Sequence, residues 1–156
     1  APGFRVASLP SLVAYADGML LTNDATATES RPDVLRMHQR AGSLDRIRSF
    51  AKAIHEATAT PKGGWGFPGV ADVPNTRIRI SFAHLNTNKS IYALGFSNGP
   101  NVTAAQRAAR IKLQGLLDRL DKYAATLKPR IFSPLRYEGW ILTDIVPMPT
   151  TGMESR

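Results

Sequence analysis

The sequence predicts an α+β protein in which helices pack on one face of a small, mostly antiparallel sheet. Three observations support this fold class. Residues 103–127 carry apolar side chains at the three- and four-residue steps of a helix. Residues 77–82 alternate between polar and apolar side chains, which is typical of a half-buried strand. Hydrophobic residues make up 43% of the 156-residue chain, enough to form the core of a globular protein.

A short helix near 32–41 is the first predicted element. Ser30 is a candidate cap for it, and Pro32 suits the first helical position. A second helix is predicted near 44–57, because Ser43 can cap it and apolar residues recur behind it at helical spacing. The residues expected on its buried face are Leu44, Ile47, Phe50, Ala51 and Ile54.

A β-hairpin is predicted next, with strands near 77–84 and 90–97. Residues 86–88 are expected to form its turn, because Asn-Thr-Asn is rich in turn-forming side chains. A further strand is predicted near 137–146, and residues 130–132 are expected either to belong to it or to form a second short strand. The connection from 90–97 to the last strand permits a right-handed crossover, which would make those two strands parallel.

The long helix is predicted near 104–127. Thr103 followed by Gln106 matches a capping box, in which each residue satisfies a backbone N–H of the other. Pro129 disfavours helical conformation at the residue before it and ends the element. Gly115 weakens the middle of the helix by about 1 kcal/mol relative to alanine, which suggests a close packing contact there. The apolar stripe consists of Leu113, Leu116, Leu117, Leu120, Tyr123, Ala124 and Leu127.

We expect one domain spanning 1–156, because this length suits a single core. An irregular N-terminal arm is predicted over about 1–30 and a short C-terminal tail over about 148–156. In the arm, an apolar patch from Leu9 to Leu21 is broken by a proline and a glycine. Either a strand or an extended segment lying against a partner fits this patch.

The formal net charge is +8, and the positive side chains concentrate in residues 31–55 and 101–131. Such a field attracts nucleic acid, an anionic membrane surface or an acidic protein partner. The long-helix residues predicted to make this contact are Arg107, Arg110, Lys112, Arg119 and Lys122. The alternative is an ordinary solvated helix face, in which Asp118 and Asp121 form local ion pairs with their basic neighbours.

Residues 61–76 form a long segment rich in glycine and proline. Loops of this length inside compact domains are usually functional or disordered. Trp65 and Phe67 are therefore predicted as partner-binding residues, since aromatic anchors dominate many interfaces. The alternative is that the loop folds back and tucks both rings into the core of the protein itself.

Catalytic chemistry has little support in this sequence. The chain contains no cysteine, which excludes disulfides, thiolate metal sites and cysteine nucleophiles. Its three histidines have no metal-ligand spacing, and neither a nucleophile elbow nor a phosphate-binding glycine motif is present. We therefore predict no catalytic residues, no cofactor and no metal. A minor hypothesis brings His84 together with Asp144 or Glu138 in a reactive cleft. Its other groups would be Ser81 or Ser97 as nucleophile, or Arg77 and Arg79 in a metal-free nuclease.

These observations favour a non-catalytic structural subunit of a larger assembly, of the virion, phage neck or tail, or nucleoprotein type. It would bind other protein subunits, in an oligomer or a hetero-complex, through its arms, its aromatic loop and its basic helix. The alternative is a basic nucleic-acid-binding domain, and a weaker one is a secreted or delivered hydrolase such as a metal-free nuclease. No apolar run approaches the roughly 20 residues of a membrane helix, so we expect a soluble protein. A virion or the cytoplasm is favoured as its location, with secretion left open.

Overall fold

The structure is a computed structural model that describes residues 11–23 and 37–131. In this part of the chain, β1, β2, β3 and β6 form a four-stranded sheet with that strand order, and every neighbouring pair is antiparallel. A separate antiparallel ribbon consists of β4 and β5. The element bounds are β1 Leu12–Ala14, β2 Met19–Asn23, β3 Met37–Ala41, α1 Leu44–Ala57, β4 Asn75–Phe82, β5 Leu85–Tyr92, α2 Ala104–Thr126 and β6 Arg130–Ile131. The predicted α+β class is confirmed.

The predicted starts of the helices near 44–57 and 104–127 are confirmed at the level of individual hydrogen bonds. Gln106 N donates to Thr103 Oγ1 at 3.2 Å, and Thr103 N donates to Gln106 Oε1 at 2.9 Å, so the capping box is complete. Ser43 caps α1, since its Oγ accepts from Arg46 N at 3.4 Å. The ends of α1 and α2 agree with the predicted bounds to within one residue.

The main core lies between α1, α2 and one face of the ribbon. Its buried members are Ile54, Ala57, Ile78, Ile91, Leu94, Leu113 and Leu116. At the edge of this core, His55 Nδ1 and Thr87 Oγ1 are 2.7 Å apart, in a hydrogen bond that joins α1 to β5. Successive side chains of each strand point to opposite faces of the ribbon, so one face is buried against the helices and the other is exposed.

Arg40 connects the four-stranded sheet to the C-terminal end of α2. Its side chain is only 8% exposed and donates from Nε to Thr22 Oγ1 at 3.0 Å. From Nη1 it donates to Ala124 O at 3.2 Å and to Leu127 O at 2.6 Å. Carbonyls in the last turn of a helix lack intrahelical partners and carry partial negative charge. A cationic donor at this end therefore stabilises α2 and holds the sheet against it.

The predicted helix near 32–41 is wrong over its second half. Met37–Ala41 is β3, and each of its five residues has a partner on β2. Residues 32–36 lie outside the described ranges. A helix of about ten residues is marginal without tertiary support, whereas β3 gains backbone pairing with β2 and the contacts of Arg40 with α2. Tertiary structure here overrides local propensity.

The predicted hairpin exists, but its turn and second strand are displaced. The strands are 75–82 and 85–92 in place of 77–84 and 90–97, and the turn contains only Ala83 and His84. The predicted turn at 86–88 lies within β5, where Thr87 is buried and its two asparagine neighbours point outward. The turn was predicted in the wrong place because Asn86, Thr87 and Asn88 have a turn-like composition, whereas in the structure they continue the alternation of strand β5.

Other predicted features also differ from the structure or lie outside it. Residues 11–23, within the predicted irregular arm, contain the β1–β2 hairpin, so the strand alternative holds for this part of the arm. Among the described residues, no atom apart from the neighbouring helix backbone lies within 4 Å of a Cβ built on Gly115, so the expected close contact is not found in this part of the chain. The strand near 130–132 is confirmed as β6. The predicted strand near 137–146 and the tail near 148–156 lie outside the described residues.

We predict that Leu113→Ala lowers the free energy of unfolding by about 2–5 kcal/mol, because Leu113 is 0% exposed and its removal leaves a cavity. Ile111→Ala on the same helix is the matched control. Ile111 is 56% exposed, so a change within about 0.5 kcal/mol is expected. Urea denaturation monitored by circular dichroism measures both changes. Equal losses in the two variants would contradict the assignment of this core.

Candidate functional site

Arg110 is a buried structural residue of α2. The sequence predicts it as a contact for nucleic acid or an acidic partner, and this prediction is wrong because the side chain is 0% exposed. The same helix carries Arg107 on its exposed side, and hydropathy alone does not distinguish the two arginines. Arg110 lies three residues before Leu113 and therefore on the same side of the helix. This spacing is the one sequence signal that separates Arg110 from Arg107.

All five N–H donors of the Arg110 guanidinium are used by main-chain carbonyls. Nε donates to Trp65 O at 2.7 Å, Nη1 to Ala93 O at 2.8 Å and Phe96 O at 3.2 Å, and Nη2 to Gly66 O at 2.9 Å and Tyr92 O at 3.2 Å. Two of these acceptors belong to the 61–76 loop. The other three belong to the last residue of β5 and to the segment that follows it. Arg110 therefore joins two separate segments through one rigid, planar group.

The electrostatics of this site follow from burial. Loss of water lowers the pKa of the Arg110 guanidinium, because desolvation disfavours the charged form. An arginine nevertheless stays protonated in proteins. Hydrogen bonds to charged groups are worth about 1.5–3 kcal/mol each, so five well-placed carbonyl dipoles offset the loss of hydration. The positive charge of Arg110 accordingly stabilises the backbone around it and is not available to another molecule.

Gln106 holds the same loop one helical turn earlier. Beyond its part in the capping box, its Nε2 donates to Gly63 O at 3.1 Å. The backbone at Gly66 has a φ of +71°, and a Cβ there would lie 2.5 Å from Gln106 Oε1. Glycine is therefore required at position 66, both for the left-handed conformation and for the close approach to Gln106.

The two aromatic residues of the loop have different environments. Trp65 is half-buried and packs against the main core, so the alternative of a tucked ring holds for Trp65. Phe67 remains 52% exposed and stacks on Tyr92, with ring centroids 5.4 Å apart and planes inclined by 6°. Phe67 also forms a β-bridge with Asn101, and Tyr92 Oη donates to Val70 O at 2.8 Å. Phe67 is thus an exposed ring on a restrained backbone.

The remaining cationic residues predicted on the long helix are on the surface. Arg107, Lys112, Arg119 and Lys122 are all exposed. Asp118 and Asp121 are exposed on the same helix, so this side of α2 is mixed in charge. Asp118 Oδ1 accepts a hydrogen bond from Gln114 Nε2 at 2.8 Å.

The interpretation of Asp118 and Asp121 as members of local ion pairs fails for Asp121. Its pKa is raised, first because its carboxyl is partly desolvated and second because the negative charge of Asp118 is close. An adjacent cation would lower the pKa of a carboxyl. Desolvation and, to a smaller extent, the charge of Asp118 therefore disfavour the ionised form of Asp121.

The outward face of the ribbon is a second polar surface, and it was not among the surfaces predicted from the sequence. All of its strand residues except Tyr92 at the end are exposed, namely Asn75, Arg77, Arg79, Ser81, Asn86, Asn88 and Ser90. The alternation of Arg77, Arg79 and Ser81 with apolar residues was a visible signal for the β4 half. The β5 half was missed because its asparagines were assigned to a turn.

The groups proposed for a reactive cleft are only partly described. His84 lies exposed in the turn of the ribbon, and Ser81 is exposed near the end of β4. Asp144 and Glu138 lie outside the described residues, so the hydrolase hypothesis stays untested. Within 11–23 and 37–131, no three His, Asp or Glu side chains are grouped so that they could hold a metal ion. Neither described helix is both long and apolar enough to span a membrane.

Comparisons with protein-family models, with curated proteins and with solved structures found no match. The fold and the surface chemistry therefore define the class of protein by themselves. They describe a small α+β protein with one restrained, exposed aromatic loop and two polar faces that carry arginine and lysine.

We predict that Arg110→Ala lowers the free energy of unfolding by more than about 3 kcal/mol, because five carbonyls lose their charged donor. Arg110→Lys should lose about 2 kcal/mol, since an ammonium group has three donors and lacks the planar fork. Arg107→Ala is the control and should change stability by less than about 0.5 kcal/mol. Urea denaturation measures all three. An Arg110→Ala loss no larger than that of the control would contradict the structural role.

We predict that Asp121→Asn raises the free energy of unfolding at pH 7 and leaves it nearly unchanged at pH 3. The folded state binds a proton at Asp121 more tightly than the unfolded state does, because the pKa of this carboxyl is raised in the folded state from its ordinary value of 3.8. Stability therefore falls as pH rises through the interval between the unfolded and folded pKa values, and the Asn variant avoids this loss. Asp118→Asn should give a smaller gain, because it leaves the desolvation of Asp121 in place. Urea denaturation at both pH values checks this, and a loss of stability at pH 7 would contradict it.

Proposed function

We propose that this protein is a non-catalytic subunit of a larger assembly and that it binds another protein subunit through Phe67 and the loop around it. The observation that carries the proposal is the combination of exposure and restraint at Phe67. The ring is 52% exposed, yet its position is set by stacking on Tyr92 and by the backbone bridge to Asn101.

Restraint of the loop supports binding because it lowers the entropic cost of association. The loop contains several glycines and would be flexible if it were not held from behind. Arg110 and Gln106 hold its main chain at positions 63, 65 and 66. Trp65 fills the space beneath it and thus supports the contact surface without forming part of it.

Aromatic side chains at the centre of an interface contribute a large share of its binding free energy. A phenyl ring buries substantial apolar area, and a stacked pair presents its free face in one orientation. Phe67 is the residue of the loop that fits this description. The exposed cations of α2, Arg107, Lys112, Arg119 and Lys122, would accelerate the approach of an acidic partner and contribute less to the final affinity.

We predict that Phe67→Ala reduces the amount of partner protein that co-purifies with the tagged full chain by about tenfold or more, since loss of an interface anchor removes more than about 1.4 kcal/mol. Phe96→Ala is the matched control, because Phe96 is similarly exposed at 46% and meets Arg110 only through its backbone carbonyl. Native mass spectrometry of the wild-type complex should give a mass above the 17.0 kDa of one chain.

A second measurement places the contact. A photoreactive phenylalanine analogue at position 67 should cross-link to one discrete protein, and the same analogue at position 96 should not. Isolation of the wild-type protein from its natural source as a monomer without a bound partner would overturn the proposal. Identical cross-linked products from both positions would overturn the role of Phe67.

A further inference from the structure

We propose that the outward face of the β4–β5 ribbon binds double-stranded DNA in its major groove. This inference does not depend on the assembly function, because it rests on exposed side chains of the ribbon, none of which belongs to the Phe67 loop. It also differs from the expectation that the basic helices lie along the phosphates of a nucleic acid. The ribbon places arginine, asparagine and serine side chains together on one exposed surface.

The register of the ribbon defines this surface. Arg77 lies opposite Ser90, and Arg79 lies opposite Asn88. Ser81 pairs with Asn86 at the end nearer the turn. All of these side chains are exposed, and none of the outward residues of the two strands is acidic. The face is therefore positively charged and rich in hydrogen-bond donors.

The chemistry of these side chains matches the edges of base pairs in the major groove. Arginine binds the O6 and N7 atoms of guanine with two hydrogen bonds, and asparagine binds N6 and N7 of adenine in the same way. Outward side chains two residues apart on a strand are about 7 Å apart. Base pairs rise by about 3.4 Å. Arg77 and Arg79 are thus spaced to contact bases about two steps apart.

The dimensions of the ribbon also fit. Two paired strands lie about 4.8 Å apart, and the major groove of B-form DNA is about 12 Å wide and accepts a two-stranded ribbon. Each strand has eight residues, so the ribbon is about 27 Å long and would follow the groove for most of a helical turn. Within the described ranges no further strand pairs with either edge, which leaves the edges to approach the phosphates.

The opposite face of the ribbon makes it a firm platform. Ile78 and Ile91 are buried in the main core, and Thr87 forms a hydrogen bond with His55 of α1. At the turn end, the guanidinium of Arg48 lies 5.6 Å from the centre of the Phe82 ring, which adds a cation beside the ribbon. A base-reading surface has to hold its side chains in a defined register, and backing by a core provides this.

The test is a binding titration with the full chain and a fluorescein-labelled mixed-sequence DNA duplex of about 24 base pairs, at about 50 mM salt. Arg77→Thr with Arg79→Thr should weaken binding by about tenfold or more. Threonine removes the charges and retains strand propensity. The control pair, Arg107→Gln with Lys112→Gln, removes the same charge from the exposed side of α2 and should weaken binding by less than about threefold.

Two further measurements locate the contact on the DNA. Methyl green, which occupies the major groove, should compete with the protein, and netropsin, which occupies the minor groove, should not. Duplex RNA of the same sequence should bind more weakly, because side chains cannot enter its deep, narrow major groove. Circular dichroism of both double variants verifies that they remain folded.

Several outcomes would overturn the proposal. They are the absence of DNA binding at about 50 mM salt, equal losses in the ribbon and helix variants, competition by netropsin alone, and preference for duplex RNA. Equal losses would assign the contact to general charge, and a larger loss in the α2 variant would assign it to the helix. Failure of these tests leaves the Phe67 interface unaffected, since the cross-linking experiment at position 67 reports on it separately.

Discussion

Arg110 brings five carbonyl oxygens from two segments around one buried guanidinium, and the arrangement of loop, ribbon and long helix depends on it. Carbonyls that turn inward without a donor would each lose hydration without compensation. Residues 61–74, the part of this loop that precedes β4, form no helix or strand that would satisfy their backbone internally. A planar cation with five N–H donors satisfies the inward carbonyls of the loop and those at the end of β5 at the same time.

A second arginine acts in a comparable way at the other end of α2. Arg40 donates to carbonyls of the last helical turn from a strand of the four-stranded sheet. The helix therefore contacts the loop and ribbon through Arg110 and the sheet through Arg40. Much of the positive charge in this protein is surface charge, but these two side chains are structural, and a count of basic residues overstates what a partner encounters.

Local signals in the sequence predicted α1 and α2 well, and they predicted the strands less well, since β3 was assigned to a helix. The capping box of Thr103 and Gln106 and the apolar spacing behind it are contained within α2 itself, so its bounds could be predicted. β3 depends on pairing with β2, and the position of the ribbon turn depends on which face is buried. Neither is a local property. Arg110 and Arg107 have the same side chain on the same helix; the spacing from Arg110 to Leu113 is a weak signal, and the packed structure shows that Arg110 is the buried one. The exposure of Phe67 but not Trp65 likewise depends on how the loop folds back.

The two proposed binding surfaces share one support. Tyr92 ends β5, and its ring stacks on Phe67. Its carbonyl accepts from Arg110 at 3.2 Å. The ribbon and the aromatic loop are thus connected through Tyr92 and Arg110 by direct contacts. Because close-packed interiors have low compressibility, these contacts fix the loop and the base of the ribbon relative to each other. The cation that satisfies the backbone of the loop therefore also determines how the two surfaces are placed.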